Sequence, residues 1–173
     1  MQNLRRTAFA ICFSALCVIA CALPTLLYAQ AEADVELVRY CRPLGYCFNY
    51  PSTLTPDAAT AETTEGGKRF AGNRIKASLL EVPNTPTPDA APYTLAALYR
   101  SDVDNAQAGV GSSVTYKLLK SNFYVLSGYT GDNIFYRRVT MKAGFIVCAE
   151  VTFASELKDT YNPLIKEMFQ DLR

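Results

Sequence analysis

Histidine and tryptophan are both absent from the 173 residues of this chain. Without imidazole the usual general base is missing, and so are the Ser-His and Cys-His nucleophile pairs and the commonest metal ligand. Most hydrolase templates are therefore excluded. An excess of charge of either sign is lacking too: 17 Lys and Arg stand against 16 Asp and Glu, a formal net charge of +1 at pH 7. No basic field exists to hold nucleic acid. The six cysteines contain neither a Cys-x-x-Cys redox motif nor metal-binding spacing. No catalytic residue, metal ligand or cofactor site is assigned.

Residual enzyme chemistry would need a Ser-Lys arrangement, a carboxylate pair or a cysteine nucleophile. Asp102 and Asp104 are the obvious acids, and neighbouring acids on a helix are read as solvating its exposed face. Cys148 has no basic neighbour in sequence, and Glu150, two residues on, would oppose formation of a thiolate.

The N-terminus carries the plainest message. Arg5 and Arg6 lead into an apolar run over 8–27, which Ala29-Gln30-Ala31 follows. A charged start, an apolar middle and a small-x-small end predict a secretory signal peptide over 1–31, with the working protein outside the cytoplasm. The same run contains Val18-Ile19-Ala20-Cys21, which resembles a lipobox. Cleavage before Cys21 would leave a diacylated cysteine holding the protein on a membrane. Against that route, apolar sequence continues through Leu26, Leu27 and Tyr28, where a lipoprotein would begin a polar tether. Release after Ala31 is the preferred reading, and membrane contact is expected only with lipidation at Cys21. A retained transmembrane helix ranks third, disfavoured by Pro24 and the small-residue end.

Processing after Ala31 leaves about 142 residues, enough for one domain over 32–173 with its own core. It removes Arg5 and Arg6 but no acid, turning the formal charge from +1 to about −1. Cys41, Cys47 and Cys148 remain. Pro43 and Gly45 are turn formers able to bring Cys41 and Cys47 within bonding range, and an oxidising compartment favours that disulfide. A partnership of one of them with Cys148 is the rival.

Hydrophobic periodicity organises the rest. Residues 35–40 read as a short strand, followed by the cysteine loop and Cys47-Phe48-Asn49-Tyr50-Pro51; the Thr-, Ala- and Pro-rich stretch 52–67 reads as a surface loop. Strands are predicted over 68–71 and 74–82 with Gly72-Asn73 as the hairpin turn, and the proline-rich stretch 83–92 is a connector. Leu95, Leu98, Tyr99, Val103 and Ala106 fall at helical spacing, with Thr94 as N-cap and Gly109 beyond the end. Four strands follow, over 113–120, 123–129, 134–141 and 145–154, as an antiparallel meander. In the last of these Phe145, Val147, Ala149, Val151 and Phe153 share the core face, sending Cys148 and Glu150 to the other. A closing helix is expected with Asn162 as cap, Pro163 at its first position and an apolar stripe of Leu164, Ile165, Met168, Phe169 and Leu172. The fold class is α+β, an antiparallel sheet packed with two main helices.

The order of these elements carries a resemblance. Phe48-Asn49-Tyr50-Pro51-Ser52, the segment from Tyr116-Lys117-Leu118-Leu119-Lys120 to Val125-Leu126-Ser127-Gly128-Tyr129, and the terminal Tyr161-Asn162-Pro163 helix together resemble the PsbP-like fold. That fold is shared by photosystem PsbP proteins, Mog-type Ran-binding proteins and envelope lipoproteins of the DcrB type. The resemblance covers about residues 44–172 and implies a binding or assembly role, as most members of the fold have, and some periplasmic members resemble immunity proteins against secreted cell-wall toxins. It implies no site residue, because its motifs are structural.

Eleven tyrosines supply the binding hypothesis, several of them beside charge: Tyr40 with Arg39 and Arg42, Tyr99 with Arg100, Tyr136 with Arg137 and Arg138. Tyr and Arg recur at binding hot spots, although Tyr is equally at home in a half-buried strand. Arg39, Tyr40, Arg42 and Tyr46, around the cysteine loop, are the expected partner-facing surface. The reading is an exported, non-enzymatic periplasmic binding protein whose partner is another envelope protein, as an inhibitor or immunity factor would have. The alternatives are an envelope lipoprotein with a structural or assembly role, anchored through Cys21, and a histidine-free enzyme of unknown reaction.

Overall fold

Residues 145–154 alternate so strictly between core and opposite face that their strand organises everything else, and the computed structural model places it at the centre of a seven-stranded antiparallel sheet. The structure describes residues 35–57, 66–87 and 91–172, which belong to one compact unit, Asp34–Arg173. The expected signal peptide at 1–31 and the lipidation candidate Cys21 lie outside the described residues. Among the described residues, no helix is long and apolar enough to cross a membrane.

In chain order the elements are β1 (Leu37–Cys41), β2 (Cys47–Pro51), β3 (Thr55–Pro56), β4 (Gly67–Gly72), β5 (Ile75–Pro83), α1 (Leu95–Gln107), β6 (Ser112–Leu119), β7 (Phe123–Thr130), β8 (Asn133–Lys142) and β9 (Phe145–Ala154). The main sheet runs β3-β4-β5-β9-β8-β7-β6, while β1 and β2 form a separate hairpin. The fold class is α+β, as the periodicity predicts.

Two cores lie on opposite faces of this sheet. Phe70, Leu79, Val147, Ala149, Val151 and Phe153 face the β1–β2 hairpin and the C-terminal segment, where they meet Phe48, Met168, Phe169 and Leu172. On the other face Tyr124, Leu126, Phe135 and Val139 take the α1 stripe of Leu95, Leu98, Tyr99, Val103 and Ala106. Each large side chain so buried contributes roughly 1.5–3 kcal/mol. The sheet is therefore covered on both sides, and Cys148, on the face away from the larger core, packs against the smaller one.

Thr94 caps α1 as expected, its Oγ1 accepting the Ala97 N–H at 3.2 Å. Two local expectations are corrected in this part of the chain. Gly72 pairs with Ile75, so the hairpin turn is Asn73-Arg74, with Arg74 at φ 61°. With no Cβ at Gly72, Leu54 Cδ2 can pack 2.5 Å from where one would sit. The predicted loop 52–67, described only over 52–57 and 66–67, contributes the two-residue edge strand β3 and a buried Leu54.

The terminal helix is not one helix. The chain turns helical already at Ser155–Leu157, continues as α2 (Lys158–Tyr161), tightens into a 3₁₀ turn at Asn162–Leu164 and ends in α3 (Ile165–Met168). Pro163 has no N–H to continue the α-helical ladder, which breaks the run there. Asn162 sits inside the run with helical dihedrals and makes no side-chain cap. Its amide oxygen accepts a hydrogen bond from the Tyr136 hydroxyl at 2.7 Å instead.

Candidate functional site

The cysteine loop is a fastening. Cys41 and Cys47 are paired opposite each other at the end of the β1–β2 hairpin, cross-linked with their Cα atoms 4.1 Å apart, while Cys148 is free. The four residues expected to face a partner there do not share a surface. Tyr46 is only 1 % exposed, a core residue whose hydroxyl is buried without a hydrogen-bond partner and whose ring lies under Lys142 Nζ at 5.4 Å. Arg42 turns inward to Glu81, which is 5 % exposed, with Nε donating to Oε2 at 3.2 Å, and NH1 donates to the Tyr40 hydroxyl. Tyr40 packs edge-on against Phe70 with centroids 5.4 Å apart. Arg39 alone is well exposed, at 3.4 Å from Asp171. Burial of the loop against the larger core, which adjacency in sequence does not disclose, dismantles the expected patch.

The acids considered for chemistry are also placed. Asp102 is half-buried: it accepts the Tyr124 hydroxyl at 2.5 Å and lies 3.2 Å from Arg137 NH1, so it does not solvate an exposed face as Asp104 does. Arg137 Nε donates in turn to Glu150 at 2.5 Å. Two carboxylates share one guanidinium and tie α1 to β8 and β9. Burial pushes the neighbouring Cys148 thiol up to about 12, with Glu150 and Asp102 adding to the rise and only Arg137 opposing it. A thiol held protonated is a packing group, not a nucleophile. Among the described residues no cluster of three His, Cys, Asp or Glu is placed to hold a metal ion.

A different feature has the form of a binding site. A groove of about 440 Å³ opens on the sheet face that carries the larger core, between the β6–β7–β8 end of the sheet and the C-terminal segment. That volume falls within the usual range for ligand pockets. Its floor is Tyr116 of β6, Val125 of β7, and Tyr136 and Arg138 of β8; its wall is Ile165, Lys166, Phe169 and Gln170. Tyr136 and Arg138 share a face because they are two apart in a strand, while Arg137 between them points toward α1.

Tyr116 is there by an irregularity. Val114 pairs with Gly128 and Tyr116 with Ser127, so a bulge at Thr115 inverts the alternation of β6. Val114 packs with the α1 core, yet Tyr116, two residues on, faces the groove with 50 % of its surface exposed. The Thr115 hydroxyl donates to the Ser127 carbonyl at 3.3 Å within the bulge. Gly128 permits the close approach, since a Cβ there would overlap the Ser113 carbonyl oxygen.

The wall is held from two sides. Tyr136 stacks on Phe153 and fastens Asn162; Asn49 of β2 donates from Nδ2 to the Glu167 carbonyl at 2.9 Å. Phe169 packs edge-on against Phe48 at 5.4 Å. Burial raises the Tyr136 pKa, with Tyr129 adding to it, so the phenol keeps its proton and remains a donor. Arg138 lies over the Phe123 ring with Cζ 4.2 Å from the centroid, within cation–π range.

Sequence adjacency marked Tyr136 and Arg138 as a tyrosine beside charge, but Tyr116, Val125 and Lys166 carried no signal. Strand register and the bulge bring them together.

Searches for similar structures find this architecture elsewhere. The solution structure of cyanobacterial PsbP (CyanoP) from Synechocystis sp. PCC 6803 superposes with a TM-score of 0.55 at 13 % identity, covering 79 % of this chain and 91 % of that one. The fold is PsbP-like. The crystal structure of PA94 from Pseudomonas aeruginosa aligns with a TM-score of 0.47 at 13 % identity over 80 % of this chain and 96 % of that one. No protein-family model and no curated protein matches the chain. At this identity the PsbP-like match speaks to the fold alone, and the site has to be judged on its own chemistry.

Proposed function

We propose that this PsbP-like chain is an exported, non-enzymatic binding protein that engages another protein of the cell envelope, as an inhibitor or immunity factor would. The observation that carries this reading is the groove beside the C-terminal segment, where exposed Tyr116 meets half-buried Tyr136, Arg138 and apolar side chains on a floor and wall joined by side-chain contacts. Such side chains supply large contact area at low entropic loss, and preorganisation limits the cost of binding. The Cys41–Cys47 cross-link and the export-type N-terminus support an oxidising compartment. The acids Asp102 and Glu150, held on one arginine, and the protonated Cys148 favour a binding role over catalysis.

The test is affinity capture from the envelope fraction of the native organism, with the exported and processed protein as bait and Tyr116→Ser as control. The expected outcome is one stoichiometric protein retained by the parent and lost or reduced at least about tenfold by the variant. Capture that is indifferent to Tyr116→Ser removes the groove from the reading, and an empty capture removes the protein partner. The mass of the processed N-terminus, read on the same bait, tells a start at Glu32 from an acylated Cys21.

A further inference from the structure

We propose that two copies of this chain join edge to edge through β6, as an antiparallel pair centred on Leu118 that continues the seven-stranded sheet of one copy into the other. This dimer goes beyond the binding role above and does not depend on it.

The two edges of the main sheet are unequal. β3 ends one side with two residues, whereas β6 ends the other with eight, and among the described residues no strand pairs with its outer side. The Lys120 N–H donates to the Phe123 carbonyl at 2.9 Å, so the backbone groups of Lys120, Leu118 and Tyr116 turn to β7 and those of Lys117 and Leu119 turn outward. An outward row of donors and acceptors is a template for another strand. The edge is also apolar on both faces of the sheet: Tyr116 on the groove side is 50 % exposed, and Leu119, paired with Tyr124 on the α1 side, is 42 % exposed.

What fits this edge is the edge itself. Hydrogen bonding requires that outward residues meet outward residues, which leaves few registers for a twofold pair. Centring on Lys117 or any earlier residue of β6 brings the bulged Thr115 into the pairing, and with Lys117 at the centre like charges also stand directly opposite. Centring on Leu119 runs Lys117 into the Ser121-Asn122 turn of the other copy. Centring on Leu118 avoids both. There Lys117 of each copy exchanges backbone bonds with Leu119 of the other, Leu118 meets Leu118, and Tyr116 lies opposite Lys120, an aromatic face against a cation. No lysine stands directly opposite another. The bulge and the turn end the pairing on either side, so the contact closes on itself and only the short β3 edges remain. The paired stretch 116–120 is brief, and the association is accordingly weak and concentration-dependent.

The test is sedimentation equilibrium of the exported protein. A reversible monomer–dimer equilibrium is expected, with a Kd on the order of 10 μM. Lys117→Pro removes an outward N–H and no bond to β7, and is expected to weaken dimerisation at least about tenfold while the thermal midpoint stays that of the parent. Single cysteines read the register without relying on that variant. Leu118→Cys would face its own copy across the twofold, so mild oxidation is expected to trap it as a covalent dimer on a denaturing gel. Tyr116→Cys, at a more exposed position but opposite Lys120, is expected to stay uncross-linked, as is the parent with Cys148 packed against the smaller core. A parent that sediments as a monomer up to about ten times that concentration overturns the inference. So does a dimer indifferent to a folded Lys117→Pro, or a Leu118→Cys protein that cross-links no better than Tyr116→Cys. If Lys117→Pro does not fold, the cysteine pair decides alone.

Discussion

The Tyr136 phenol donates a 2.7 Å hydrogen bond to the Asn162 side-chain oxygen, and this contact joins the floor of the groove to the C-terminal segment that walls it. Asn162 can do so because it lies inside a helical run broken at Pro163, so its side chain points at the sheet and not back along its own backbone.

Removing either partner of that bond should therefore loosen the wall. Tyr136→Phe and Asn162→Ala are each expected to destabilise by about 1 kcal/mol, with a double variant that loses less than the sum. Urea unfolding of the three proteins checks this, and additive losses would mean that the two side chains act independently.

Alkaline pH should unfold the protein earlier than a simple surface would predict. Burial raises Cys148 to about 12 from its ordinary 9.0, and raises Tyr46, Tyr124, Tyr136 and Tyr161 above 10.0. Above those ordinary values the unfolded chain has released protons that the folded chain still holds, so the unfolded state binds fewer and stability falls as pH rises. The expected curve is flat from neutrality to about 9 and then declines, first through the thiol and above about 10 through the phenols. Cys148→Ala should remove the early part of the decline, and urea midpoints taken at intervals across that range would show whether it does.

The disulfide should act as a modest staple. It closes a short loop, with a sequence separation of 6, so replacing both Cys41 and Cys47 by Ser is expected to cost about 2 kcal/mol without unfolding the domain. Denaturant midpoints with an unchanged slope would be the signature. A complete loss of folding would instead mean that the β1–β2 hairpin docks only when cross-linked.

Gly128→Ala should be costly out of proportion to one methyl group. Its Cβ would overlap the Ser113 carbonyl, a backbone atom that cannot swing away, so β6 must shift against β7. A loss of about 1–3 kcal/mol is expected, together with altered reactivity of Tyr116 toward a tyrosine-modifying reagent. Unchanged stability would show that the bulge at Thr115 relaxes to admit the methyl.

Much of the architecture was legible because alternation and helical spacing are local quantities. Phe145 to Phe153 announced a strand with one core face, Thr94 announced the start of α1, and the cysteine loop favoured the cross-link that forms over its rival with Cys148. Misreadings occurred where a residue's environment comes from a distant segment. Asn162 looked like a cap until Tyr136, 26 residues earlier, took its side chain. Asp102 looked like a solvated surface acid until Arg137 and Tyr124 were set against it.

By itself the chain determined which stretches become strands and helices, which face of each is apolar, and that no imidazole chemistry is open to it, because these follow from residue type and period along the backbone. Only the tertiary structure decided which polar side chains meet. Burial turned Tyr46 and Arg42 inward, and one extra residue in β6 reversed its faces and sent Tyr116 toward Arg138 and Lys166. Side-chain direction in a strand flips with every residue, so a single bulge that no period reveals is enough to move a site from one face of the sheet to the other.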